Sequence, residues 1–266
     1  MANKINTTFY NKINTCFKRD MDHNSPTYNC IIPDALTCEE FELMRKYNIL
    51  WDVTEKIDGE CTSIHLIPTK DENENVCSYN KEIHGKTNNA NMRIDEVELL
   101  QNLCDKDSLI KAFSHERPAM EYPDGKDFVA PESECIIFGE TYGRGMQKNG
   151  NRYCKDHLKF ICFDIRVGNI WLKRPAVEDI CNKLGIEVVP YLGQMTLDEA
   201  IDLVKNGFKS LVAEDKMLDA EGVVLRAPLG ILDRLGNRII TKIKTRDFRN
   251  LEAKLINNAR TLKNSI

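Results

Sequence analysis

Seven consecutive residues, Thr54-Glu55-Lys56-Ile57-Asp58-Gly59-Glu60, place a lysine, a carboxylate two positions on and then a glycine. A lysine amine becomes a nucleophile only when its pKa is lowered, and a partly buried strand end flanked by other cations lowers it. Strand alternation predicts Lys56 and Asp58 on one face. Gly59 allows the backbone to turn sharply and to approach a ligand closely. An isolated K-x-D-G is more often an exposed pair before a turn, so its meaning depends on the rest of the chain.

Four further places carry groups of the same kind. The apolar run Cys135-Ile136-Ile137-Phe138-Gly139-Glu140 delivers Glu140 at a strand end beside the turn residues Thr141 to Gln147, where a carboxylate can accept from ribose hydroxyls. In Lys159-Phe160-Ile161-Cys162-Phe163-Asp164-Ile165, Phe163 can stack on a base and Asp164 can hold a neighbouring group. Glu221 heads the run Gly222-Val223-Val224-Leu225-Arg226 and near a phosphate can help bind a divalent ion. Lys242 and Lys244 fall on one face of a strand, with Ile239 and Ile243 behind them. Two adjacent cations are costly unless an anion lies between them, and that anion can be a phosphate.

These groups need a scaffold, and the spacing supplies one. Thr37 and Glu40 predict a capping box opening a helix that runs to about Tyr47, stapled by Leu36 and Phe41. Residues 63–68 alternate and pair with the Lys56 strand as a hairpin around Gly59; residues 71–75 are a polar loop. A strand follows at Glu82 to His84, with Lys86 just past it. Asp95 and Glu98 open a helix bearing Ile94, Val97, Leu100 and Cys104, and residues 105–133 read as connection. Pro175 to Leu184 and Thr196 to Val204 are amphipathic helices, and Asp247 caps a last one bearing Leu251, Leu255 and Leu262. Residues 1–30 give no clear pattern.

The 266 residues, 42% of them hydrophobic, suffice for a core, and no stretch approaches the ~20 apolar residues of a membrane span, so no membrane partner is expected. Ten scattered cysteines without a C-x-x-C pair fit a reduced, intracellular protein. A net charge of -4 excludes a uniformly basic nucleic-acid binder. From Asp233 onward, however, nine cations (Arg249, Lys254, Arg260 and Lys263 among them) face three carboxylates, a basic surface suited to a polyanion on an acidic body.

Taken in order, E-K-I-D-G, F-G-E-T-Y-G-R-G-M-Q, F-I-C-F-D-I, A-E-G-V-V-L-R and K-I-K-T-R-D-F resemble the covalent nucleotidyltransferases, and most closely the ATP-dependent RNA ligases of bacteriophage and RNA-editing type, over residues 54–248. The resemblance implies that Lys56 takes AMP from ATP as a lysyl phosphoramidate and passes it to an RNA 5′-phosphate, which a 3′-hydroxyl then seals. It further implies a nucleotide-binding set of Glu55, Asp58, Gly59, Lys86, Glu140, Phe163, Asp164, Lys242 and Lys244, with Glu221 assisting Mg²⁺ or Mn²⁺. Lys86 stands where related ligases often have an arginine, and a point charge cannot grip phosphate bidentately. The fold expected is α+β: one nucleotidyltransferase (ATP-grasp-like ligase) domain over residues 1–266, with antiparallel sheets around a nucleotide cleft and helices outside. With no separate C-terminal OB-fold or helical domain, RNA ends or a nicked duplex are expected to bind the catalytic domain or a protein partner. A capping guanylyltransferase or small DNA ligase shares the lysine chemistry, and an inactive RNA-binding relative is the alternative of another class.

Overall fold

The strand Trp51–Lys56 lies inside a four-stranded antiparallel sheet ordered Tyr191–Met195, Trp51–Lys56, Gly222–Arg226, Ile240–Lys244. Alternation sends Trp51, Val53, Val223, Leu225 and Ile243 to one face, where all are buried. They share a core with Ala200, Ile201 and Val204 of the helix Leu197–Asn206 and with Phe17, Leu36, Phe41 and Met44. The helix begins where its sequence says: Thr196 and Glu199 close a reciprocal capping box.

The computed structural model describes residues 10–87, 91–116 and 128–264, grouped into two units: Tyr10 with Asp58–Val189, and Asn11–Ile57 with residues 190–264. The first unit is built on a second sheet, ordered Ile170–Trp171, Leu158–Val167, Cys135–Gly143, Glu60–Lys70, Val76–His84, with Glu187–Val188 added parallel to Leu158–Val167. One face, including Ile64, Leu66, Ile137, Cys162 and Ile165, shares a core with Leu100, Leu109, Val177, Ile180 and Cys181 from the helices Ile94–Leu103, Lys106–Phe113 and Arg174–Leu184. The expected α+β arrangement of antiparallel sheets with helices packed on them is what forms. All ten cysteines are free, and among the described residues no helix is long and apolar enough to cross a membrane.

Four local expectations change. The strand Glu60–Lys70 does not fold back on Trp51–Lys56; it pairs with Val76–His84 and Cys135–Gly143, because both edges of the Lys56 strand are taken by distant segments. Residues 106–113, read as connection, form a helix whose N-cap Asp105 accepts from the Ser108 amide. The first helix spans Glu39–Lys46 from Cys38 without the Thr37–Glu40 box. Asp247 lies inside the helix Thr245–Asn264 and pairs with Arg19 at 3.0 Å instead of capping it.

The other face of the second sheet holds a buried polar network. His65 is fully buried, with Nδ1 2.9 Å from Glu134 Oε1 and Nε2 2.9 Å from Ser63 Oγ. Arg166 reaches the other Glu134 oxygen at 3.5 Å, and the His84 ring lies 4.5 Å from that of His65. Burial is the main cause holding His65 below the ordinary histidine value of 6.5, against the opposing pull of Glu134. As pH falls below 6.5 the unfolded chain therefore takes up a proton that the folded state resists, and stability is lost. Urea unfolding across pH should show a slope below that value steeper in the wild type than in His65→Gln, by up to ~1.4 kcal/mol per pH unit. Equal slopes would assign the acid limb to other groups.

Candidate functional site

The candidate residues fall into two sets, one on each sheet. In the Trp51–Lys56 sheet the register places Gly222 opposite both Lys56 and Lys244, so the two lysines flank a residue without a side chain. Glu221, immediately before Gly222, reaches both: Oε2 lies 2.6 Å from Lys56 Nζ and Oε1 2.5 Å from Lys244 Nζ. Lys56 Nζ also donates to its neighbour's carbonyl, that of Ile57, at 3.1 Å. Burial alone pushes the Glu221 carboxyl up, but the two ammonium groups together outweigh it and hold the group below the ordinary carboxylate value. Lys244 is thus a neighbouring cation of the kind expected at this strand end, but a carboxylate sits between it and Lys56.

Lys242 occupies the next row on the same face, opposite Val224, which is opposite Thr54. The two lysines share that face as alternation predicts, with Thr241 and Ile243 buried behind them. For Lys244 the protein itself supplies an anionic partner, Glu221. Glu55 points the opposite way. It is 1% exposed, and its oxygens accept from Ser210 Oγ at 2.5 Å and the Leu211 amide at 2.9 Å. Burial pushes its carboxyl up against those two bonds. Its side chain is therefore committed to the 210–211 loop and does not join the Lys56 face.

The second set begins where the first ends. The strand stops at Lys56, so alternation does not extend to Asp58, which is half-buried in the bend before Glu60. Gly59 packs so closely on the strand Cys135–Gly143 that an added Cβ would sit 2.2 Å from the Thr141 carbonyl oxygen. Its amide donates to Glu140 Oε1 at 3.2 Å, so Gly59 and Glu140 are brought together. Farther along this sheet the register slips by one residue: Phe138 faces Asp164 and Gly139 faces Cys162, leaving Phe163 as the extra residue of a bulge. Lys86 is exposed in the bend after Val76–His84.

One residue of this set gave no sequence signal. Tyr10 donates its hydroxyl to Asp164 Oδ2 at 2.8 Å and meets Phe163 edge-on, with centroids 4.9 Å apart. Its ring also touches Phe138 and Trp171, at 5.2 and 5.5 Å. A lone tyrosine in a polar stretch without periodicity cannot be assigned from spacing. In the basic tail Arg249 pairs with Asp219 at 2.5 Å and Lys254 bonds the Tyr28 carbonyl, while Arg234, Arg246 and Arg260 are exposed. The Leu262 and Lys263 side chains lie outside the described residues.

Residues 50–244 match the family model described as RNA ligase, and the chain belongs to that family. Among solved structures it is similar to an RNA ligase of Naegleria gruberi. A mutant of that enzyme with AMP and Mn is 16% identical with a TM-score of 0.50, over 80% of this chain and 54% of the other. A second mutant, with ATP and Mn, gives 14% and 0.52 over 92% and 62%. The form with PPi gives 16% and 0.50 over 90% and 62%. This likeness fixes the fold as nucleotidyltransferase-like, and the chain spans little more than half the length of those relatives. No curated protein matches it.

Gly222 is the element of this site most open to test. A Cβ there would lie 2.0 Å from the Ile243 carbonyl oxygen, and φ is +151°. Because the obstacle is backbone, Gly222→Ala should force the strand bearing Lys244 away and destabilise the protein by about 2 kcal/mol or more. An unchanged urea midpoint would show that the sheet absorbs the methyl group.

Proposed function

We propose that the chain is an ATP-dependent RNA ligase that joins an RNA 5′-phosphate to a 3′-hydroxyl through a lysyl-AMP and an RNA-adenylate. The observation that carries this reading is Lys56 at a strand end sharing one carboxylate with Lys244, in a chain of the RNA ligase family. The titles of the similar structures name ATP, AMP, PPi and Mn, which supports ATP as substrate and a divalent ion as cofactor. Among the described residues no group of three His, Cys, Asp or Glu donors is placed to hold a metal. A single carboxylate, Glu221, still suits Mg²⁺ or Mn²⁺, since such ions keep several waters and draw other ligands from substrate phosphates. When bound, the ion would neutralise charge on those phosphate oxygens.

In the first step Lys56 Nζ, freed of its proton, attacks the α-phosphorus of ATP; the N–P bond forms as the bond to pyrophosphate breaks. Glu221 contacts both Lys56 Nζ and Lys244 Nζ, so its contact with the amine is given up before Lys56 reacts. Lys242 and Lys244, on the face of Lys56, stabilise charge on the phosphate oxygens. Gly59 and Glu140 serve the ribose, Phe163 stacks on adenine, and Asp58, Asp164 and exposed Lys86 complete the nucleotide set. An oxygen of the RNA 5′-phosphate then displaces Lys56 from phosphorus, and the 3′-hydroxyl displaces AMP to leave the phosphodiester. Residues 1–266 serve as one nucleotidyltransferase domain, acting on RNA ends or a nicked duplex.

Incubation with α-labelled ATP and Mg²⁺ should label the wild type, GTP should not, and Lys56→Ala should take no label. Given pre-adenylylated RNA, Lys56→Ala should still seal, because that step uses no lysine nucleophile. Persistent labelling of Lys56→Ala would remove Lys56 from its role. Tyr10→Phe keeps the ring but removes its bond to Asp164, so KM for ATP in label transfer should rise by about fivefold, equivalent to ~1 kcal/mol, with kcat little altered. An unaltered KM would make the Tyr10 contact structural only.

A further inference from the structure

The C-terminal helix is the sequence's own candidate for an RNA surface; there Arg249, itself exposed, pairs with Asp219, and Lys254 bonds the Tyr28 carbonyl. A second segment also concentrates exposed positive charge. Between Gly143 and Lys159 lie five cations (Arg144, Lys148, Arg152, Lys155 and Lys159) and a single carboxylate, Asp156, a net +4 within a chain of net -4. Arg144, Lys148, Arg152 and Lys155 are exposed, whereas Met146, Tyr153 and Cys154 between them are 1% exposed or less. The buried residues act as posts, and the backbone is tied at several points: Met146 N to Gly143 O at 2.9 Å, Arg144 N to His157 O at 3.1 Å, and Gly145 N to Asn151 Oδ1 at 2.8 Å. The backbone of such a fixed loop loses little order on meeting a partner.

We propose that this loop is the docking surface for the phosphate backbone of the RNA substrate, an inference that rests on the ligase reading above and locates its second substrate. The strand that carries Glu140 runs directly into the loop, and Gln147 Nε2 donates to Glu60 Oε1 at 3.4 Å, next to Gly59. The surface is thus continuous with the Gly59–Glu140 contact. Two arginines offer planar forks for phosphate oxygens, and the lysines add point charges. Non-specific grip of this kind suits an enzyme whose chemistry occurs at strand ends, since phosphate contacts position a strand without reading its sequence.

The test uses the full chain and a 5′-phosphorylated RNA single strand, with binding followed by fluorescence anisotropy over a series of salt concentrations. Lys148→Ala/Arg152→Ala/Lys155→Ala should weaken binding at least tenfold at low salt. Its log-log salt slope should shrink by about 2, at ~0.7 per lost phosphate contact. Lys70→Ala/Lys106→Ala/Lys111→Ala removes the same charge from exposed positions elsewhere in the same unit and should stay near the wild type. Label transfer from ATP, which needs no RNA, is measured on the same preparations. Its loss in the wild type would sink the ligase reading, whereas its presence beside an unaltered slope in the loop triple variant would overturn the docking surface alone. Equal weakening by both triple variants would also overturn it, by assigning the effect to net charge.

Discussion

Two ammonium groups drawn onto one carboxylate set the layout of the Trp51–Lys56 sheet. Lys56, Glu221 and Lys244 come from segments far apart in the chain, and their meeting needs three strands in one register with a glycine at the centre. A side chain at position 222 would enter the backbone of the next strand, so the charge cluster and the close strand pairing have the same requirement. Burying like charges without a counter-ion costs several kcal/mol. Glu221 supplies that counter-ion to both lysines.

The second sheet solves a different problem. Its apolar face is covered by helices, while the other carries His65, Glu134 and Arg166 together with Phe138, Trp171 and Tyr10. The bulge at Phe163 lets a strand otherwise alternating between the two faces turn one aromatic ring out of step. Tyr10 then fixes both neighbours, Phe163 through its ring and Asp164 through its hydroxyl. Aromatic contact and a buried hydrogen bond hold side-chain direction more tightly than strand pairing alone.

The sequence disclosed what is local. Strand cores such as Cys135–Phe138 and Val223–Leu225, the Thr196–Glu199 box and the pairing of faces for Lys242 and Lys244 all depend on short-range period and capping, and all form. What failed was partner choice. The hairpin around Gly59 looked reasonable because neighbouring strands usually pair, yet the edges of the Lys56 strand are filled from residues 191–195 and 222–226. Glu55 reads as part of a charged motif, and only the fold shows it turned to Ser210. The helix at 106–113 did have a signal, Asp105 three residues before Ser108, hidden by the prolines that follow. The role of Tyr10 is tertiary throughout and left no trace in spacing.

The opposed directions of Glu55 and Lys56 bear on how the sheet assembles. A strand shifted by one residue against its neighbours would turn the Lys56 amine into the apolar core and lift the Glu55 carboxylate out of its loop, leaving a buried charge unpaired and two donors unmet. Adjacent acidic and basic residues on opposite faces therefore favour one register, the one in which both side chains find partners.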